Sequence, residues 1–266
     1  MKKYDGYALI TGGSSGIGLE FAKALASRGY NLVLVARDEN KLKKVTDDLK
    51  KTSSMDVIPI AQDLSKLDAT DKIYDQLEKK KVHVGLLINN AGMAAVSPFH
   101  KVDRKYEEDM IETSCFALTE LTYKFLPNML QKKSGGVIFI SSMAAFAPAT
   151  PFNAVYGATR AYILKLGVSL HAEYKEEGVD ILTVCPGIVD TPFHDKKETG
   201  RPAARALSVT DVVEKSLNSL GNKIILRIPS DPLQRILLSI APFFPIKLGE
   251  ILSLKYVNDI FKLTLK

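Results

Sequence analysis

Two cysteines, four histidines and no uninterrupted apolar run long enough to cross a bilayer leave several classes of function without material in this 266-residue chain. Cys115 and Cys185 are too few for a disulfide framework and have no metal-ligand spacing, so a reducing compartment is expected. His83, His100, His171 and His194 form neither an H-x-x-H nor an H-E-x-x-H pattern, and no metal site is expected. Met1-Lys2-Lys3-Tyr4-Asp5-Gly6 runs into the first apolar segment without a signal core, so the expectation is a cytoplasmic rather than a secreted protein. The net charge of +6 invites a nucleic-acid reading. Its lysines, however, are scattered among acids between Lys41 and Lys51 or bunched at Lys79-Lys80-Lys81, as on a solvated face or a helix end. No nucleic-acid partner is expected.

What is present is ordinary globular material, enough for one substantial core. Apolar runs of strand length alternate with longer amphipathic segments. Strands are expected at Tyr7–Ile10, Asn31–Ala36, Met55–Ile60, Val84–Asn89, Gly136–Ser141, Val179–Val184 and Lys223–Ile228. Helices are expected from Leu19, then at Glu39–Lys51, Ala69–Lys80, Arg104–Lys132, Asn153–Glu177 and Val209–Leu220. Continuous apolar strands separated by helices indicate an α/β doubly wound, Rossmann-type fold, a seven-stranded parallel sheet with helices on both faces. Residues 1–230 would form this domain and residues 231–266 an amphipathic extension.

Thr11-Gly12-Gly13-Ser14-Ser15-Gly16-Ile17-Gly18 sits between the first strand and its helix. A glycine turn there aims unpaired backbone N–H groups and the positive end of a helix dipole at a pyrophosphate. At the end of the second strand, Ala36-Arg37-Asp38 offers a cation where an acid would bond a ribose hydroxyl, which favours NADP over NAD. Tyr156 and Arg160, four residues apart, share one helical face and can reach one pocket. A tyrosine with an ordinary pKa near ~10 needs such a cation if it is to shuttle protons at neutral pH.

The turn's spacing, Asn89-Asn90-Ala91-Gly92, the Tyr156-x-x-x-Arg160 pair and Pro186-Gly187-Ile188-Val189-Asp190-Thr191 together resemble the short-chain dehydrogenase/reductase family over residues 5 to 230. The resemblance implies an oxidoreductase that moves hydride between a nicotinamide and a carbonyl or secondary alcohol. It implies that Gly12, Ser14, Ser15, Gly16, Ile17 and Gly18 hold the dinucleotide, and that Asp63 with Leu64 approaches the adenine, Asp63 as a helix N-cap being the alternative. Asn90, Ala91 and Gly92 would let the nicotinamide ribose pass. Pro186, Gly187 and the backbone of Ile188 would hold the carboxamide side, and the Thr191 hydroxyl would reach the carboxamide or the phosphates. Tyr156 would be the acid/base, Ser142 would orient the substrate oxygen, and Arg160 would bias the tyrosine toward its anion.

Three positions depart from the family pattern. Arg160 stands where the family has lysine, and a planar fork is no substitute for a flexible point charge. Ser114 stands where an asparagine holds a relay water, thirteen residues before Pro127. Ser142 precedes Tyr156 by 14 positions rather than 13, which would land on Met143, so an inserted loop residue is expected between Ala144 and Phe152. The first two departures support an alternative reading, a dinucleotide-binding sensor or scaffold with impaired catalysis.

The segment Pro192–Ala206 suits a substrate lid or a plain surface loop. In the tail, Leu233, Ile236, Leu237 and Ile240 are spaced as one helical face, Pro242 and Pro245 interrupt it, and Ile246, Leu248, Ile251, Leu252 and Leu254 resume it. The expectation is an apolar cover on the same domain or on a partner copy in a homo-oligomer, favouring an apolar small-molecule carbonyl or alcohol. Arg235, Lys247, Lys255 and Lys262 keep a peripheral membrane contact through 231–266 as the alternative.

Overall fold

The computed structural model describes residues 4–191, 206–231, 236 and 246–261. The expected lid, apart from Ala206, and Leu233, Leu237 and Ile240 of the tail lie outside the described residues. Seven strands, β1 (Tyr7–Thr11), β2 (Asn31–Ala36), β3 (Val57–Ala61), β4 (Val84–Asn89), β5 (Gly135–Ile140), β6 (Val179–Pro186) and β7 (Ile225–Ile228), form one sheet in the order β3-β2-β1-β4-β5-β6-β7. All adjacent pairs are parallel. The helices are α1 (Gly16–Ser27), α2 (Glu39–Thr52), α3 (Ala69–Lys79), α4 (Arg104–Ile111), α5 (Ala117–Gln131), α6 (Ala154–Tyr174), α7 (Val209–Ser219) and α8 (Ile246–Phe261).

Strands β4 and β5 are buried along their whole length, as expected of strands covered on both faces. Successive side chains feed two cores. Ala8, Ile10, Leu32 and Leu34 pack with Phe21, Leu25, Leu42 and Val212 under α1, α2 and α7. Leu9, Val33, Leu87 and Phe139 pack with Ile73, Leu121, Phe125 and Ile163 under α3, α5 and α6. Both alternating sets come from the same strands, so the period of two in the pleat decides which helix layer each residue serves. No helix among the described residues is long and apolar enough to cross a membrane.

One expected element is corrected. The continuous helix Arg104–Lys132 is broken by a π-helical turn at Glu112–Phe116, between α4 and α5. Thr113, Ser114 and Cys115 are weak helix formers, and the wide turn carries Thr113 and Ser114 into the interior.

On β6, Thr183 is wholly buried and its Oγ1 has no hydrogen-bond partner among the described residues. Gly167 of α6 presses on it so closely that a Cβ there would lie 2.1 Å from that oxygen. Thr183→Val keeps the branched shape and removes the orphan hydroxyl, and is expected to raise the unfolding free energy by about 1 kcal/mol in urea denaturation. A fall of that size would show that the hydroxyl is satisfied.

Candidate active site

β1 has β2 on one side and β4 on the other, so the chain leaves the sheet in opposite directions from neighbouring strands at this point, and a crevice opens at their carboxyl ends. The cleft found there has a volume of about 480 Å³. Its floor is the glycine turn. Gly12 and Gly16 have φ of +67° and +52°, and a Cβ on Gly18 would lie 2.2 Å from the Gly12 carbonyl oxygen. Ser15 occupies the N-cap of α1 but makes no side-chain capping bond, so the first-turn N–H groups are left without a serine cap. Gly12, Ser15, Gly16 and Ile17 line the cleft, and an anion fits that uncapped end. Ser14 does not line it, and Gly18 serves it through packing.

At the far end of the cleft stand Arg37 and Lys41. Asp38 between them is committed elsewhere: its carboxylate caps α2 by accepting from the Lys41 N–H at 3.0 Å, and that bond, with the Lys41 ammonium, holds it below the usual carboxylate range. Lys41 was not foreseen from sequence. Its signal was available, since a cation one turn into α2 faces the same way as the strand end. Asp63 is not brought to the cleft and caps no helix. Its Oδ1 accepts from the Ser65 N–H and hydroxyl in a local turn, while Leu64 is buried in the core.

Asn90, Ala91 and Gly92 line the cleft directly beneath the turn. Thr11, which opens the turn but has no role assigned from the sequence, joins the two. Its Oγ1 accepts from the N–H groups of Asn90 and Ala91 at 2.9 and 3.0 Å, and the Asn90 amide donates back to the Thr11 carbonyl at 2.9 Å.

The catalytic candidates lie on the opposite wall. Ser141 is buried and donates to the Arg160 carbonyl at 2.7 Å, which commits it to holding α6. Ser142 is half-buried, caps a short 3-10 turn through the Ala144 N–H, and lines the cleft with Tyr156. Met143, the residue at the ordinary spacing, is buried in that turn. The segment 147–153, between that turn and α6, has no regular helix or strand. Phe152 there takes a φ of +62°, which costs an aromatic residue about 1–2 kcal/mol, and Ser97 pins its carbonyl at 2.8 Å. Gly157, next to Tyr156, leaves room for Thr150, whose Oγ1 would be 1.9 Å from a Cβ. Helix α8 bears on the same loop: Gly249 is buried, and a Cβ on it would meet the Pro148 side chain at 2.6 Å. Leu248 and Ile251 of α8 are exposed.

Arg160 is only 3% exposed, yet its edge reaches the cleft. Its Nη2 donates to Ser114 Oγ at 2.7 Å, and Nη1 and Nε make longer contacts of 3.4 Å to the Ile140 carbonyl and Thr159 Oγ1. The guanidinium carbon lies 4.8 Å from the centroid of the Tyr156 ring. Burial pushes its pKa down, opposed by Tyr156 and Cys115, but an arginine stays charged at any working pH. Ser114 therefore holds the guanidinium.

Pro186, Gly187, Val189 and Thr191 close the cleft, Thr191 packing against Gly16. Ile188 does not line it: its N–H donates to Ser230 Oγ at 2.9 Å and its carbonyl accepts from Leu207 at 2.7 Å. A carboxamide contact to the Ile188 N–H would have to displace Ser230, whereas the carbonyl keeps a second lone pair. No cluster of metal-ligating side chains occurs among the described residues, and both cysteines are free.

A family model described as short chain dehydrogenase matches residues 6–202. The chain belongs to the short-chain dehydrogenase/reductase family. It is similar to a very-long-chain 3-oxoacyl-CoA reductase-like protein of Arabidopsis thaliana, 36% identical over 197 residues, covering 72% of this chain and 62% of that one. The rat very-long-chain 3-oxoacyl-CoA reductase is 30% identical over 220 residues, covering 81% of this chain and 68% of its own. Among solved structures, a short-chain dehydrogenase from Sphingobium yanoikuyae in complex with NADPH superposes with a TM-score of 0.77 at 30% identity, covering 90% of this chain and 92% of that one. The chain is thus an oxidoreductase of this family, with a nicotinamide cofactor and small carbonyl or alcohol substrates.

The crowding at Gly18 gives a direct check. Gly18→Ala must push the Gly12 carbonyl away from the helix start, so NADPH binding measured by fluorescence is expected to weaken by roughly tenfold or more, the scale of one lost hydrogen bond to a charged group. Unchanged affinity would show that the turn does not carry the phosphates.

Proposed function

We propose that this enzyme is an NADP-dependent reductase of apolar carbonyl compounds, working in either direction between carbonyl and secondary alcohol. The observation that carries the reading is the shared cleft: Tyr156, Ser142 and the edge of Arg160 stand on one wall, with the glycine turn below and Arg37 and Lys41 at the far end. When bound, the nicotinamide supplies or accepts the hydride. The chain's own residues do the rest. Arg37 and Lys41 receive a 2′-phosphate, for which two cations are a better fit than for a neutral ribose hydroxyl. The uncapped start of α1 receives the pyrophosphate. Ser142 donates to the substrate oxygen, and the Tyr156 Oη gives it a proton in reduction or takes one in oxidation. The Arg160 guanidinium supplies positive field beside the ring while that proton is in transit.

Two observations support an apolar substrate. Helix α8 packs its Gly249 on Pro148, in the loop that joins Ser142 to Tyr156, and so adds apolar surface beside the segment that carries both residues. The plant and rat relatives carry names that specify very-long-chain 3-oxoacyl thioesters. Long-chain 3-oxoacyl thioesters and bulky ketones are therefore the first substrates to try. The second reading, dinucleotide binding with impaired catalysis, is favoured by one observation, the engagement of Arg160 by Ser114 in place of the family's lysine and asparagine.

Tyr156→Phe is expected to lower kcat on the best substrate of such a panel by at least about 10²-fold while NADPH still binds. Turnover equal to the wild type would remove Tyr156 from the mechanism. Turnover absent in the wild type and present in Arg160→Lys would favour the binding reading. Arg37→Ala is expected to weaken NADPH by roughly tenfold with NADH untouched, and an equal loss for both cofactors would refute the 2′-phosphate assignment.

A further inference from the structure

Arg160 makes no ion pair among the described residues, and its three polar contacts all go to neutral oxygens. Two of these, at 3.4 Å, fall outside the ordinary range for N–H···O bonds, and only the bond to Ser114 at 2.7 Å lies within it. Ser114 is itself fully buried, and it reaches the guanidinium because the π turn Glu112–Phe116 carries it inward. Space for the fork comes from Gly92, where a Cβ would stand 3.2 Å from Nη2. A backbone irregularity, a small hydroxyl and a glycine from three separate segments thus converge on one side chain.

We propose that Ser114 is a positioning residue whose hydroxyl anchors the Arg160 guanidinium beside the Tyr156 ring, and that the two residues act as one unit in which neither can be exchanged alone. The proposal rests on the reading of Tyr156 as the acid/base of the reduction. In that direction the Tyr156 Oη–H bond breaks as its proton passes to the substrate oxygen, while hydride from the reduced nicotinamide reaches the carbonyl carbon. The phenolate then takes a proton from water in the cleft. Arg160 gives up no proton at any stage, because a guanidinium remains charged. Its contribution is the field of a charge held in one place, which makes its anchor decisive. A lysine at 160 would be too short to keep the Ser114 contact and too compact to fill the fork's place. An asparagine at 114 would still accept from the guanidinium but would displace it by its larger volume.

The test is a double-mutant cycle with a readout besides activity. Ser114→Ala, Ser114→Asn, Arg160→Lys and the double variant Ser114→Asn/Arg160→Lys are compared, each checked for its melting temperature and its NADPH affinity. Ser114→Ala is expected to lower kcat roughly tenfold to a hundredfold, the scale of one hydrogen bond to a charged group, with the KM for NADPH unchanged. The double variant is expected to be at least about tenfold more active than the product of its two single losses. Losses that simply multiply would overturn the unit. In the cofactor-free protein, the side-chain NMR signals of Arg160, identified by their absence in Arg160→Lys, are expected to be protected from solvent exchange and to lose that protection in Ser114→Ala. Equal protection in both proteins would overturn the positioning role. Should the wild type turn over no carbonyl at all, the proposed function fails, and the NMR comparison still decides whether Ser114 anchors Arg160.

Discussion

Thr11 holds together the two strands from which the site is built. At the end of β1 its hydroxyl donates to the Ile88 carbonyl at 3.3 Å and accepts from two successive N–H groups of the turn after β4. The Asn90 amide closes the clasp by donating to the Thr11 carbonyl, and the same amide fills the space beside Gly12 and Gly18. The requirement for glycine at 18 therefore has two sources, the approach of α1 to its own strand and the approach of the β4 turn. Because N–H groups left unpaired here would cost about 1–3 kcal/mol each, the glycine turn and the Asn-Ala-Gly turn behave as one rigid piece. The floor of the cleft, where the proposed function places the dinucleotide, is positioned from that piece.

Strand content was legible because it depends on a local signal. Runs such as Leu32-Val33-Leu34-Val35 and Leu86-Leu87-Ile88 are apolar on both faces, and only a strand between two helix layers buries both. That the glycine turn, Ser142 and Tyr156 share one cleft was legible for a similar reason, since each is a residue type at a spacing. What escaped was long-range. The π turn arises where weak helix formers are drawn inward by a partner 46 positions away, and no periodicity in Arg104–Lys132 records that partner. A local contact escaped as well: Asp63, which the resemblance sends toward the adenine, bonds the Ser65 N–H and hydroxyl through Oδ1. The backbone of Ile188 was assigned to the carboxamide, yet Ser230, 42 residues later in sequence, has its N–H.

Arg160 shows how stability and chemistry oppose each other at this site. Taking a guanidinium out of water costs several kcal/mol, and a buried carboxylate would be the ordinary compensation. A carboxylate would also cancel the field that the charge projects. Among the described residues only neutral oxygens bond the guanidinium, and none supplies a counter-charge. A full negative charge about 5 Å away, at an effective dielectric of about 20, would interact with it by on the order of 3 kcal/mol. That is the same order as the burial penalty, so on the proposed role of Tyr156 the cost at rest would be offset as negative charge develops on its ring. The lack of a counter-ion among the described residues fits the proposed role of Arg160. It explains why the anchoring falls to a serine: Ser114 fixes the fork's position through a bond strong enough to orient it and leaves its charge intact.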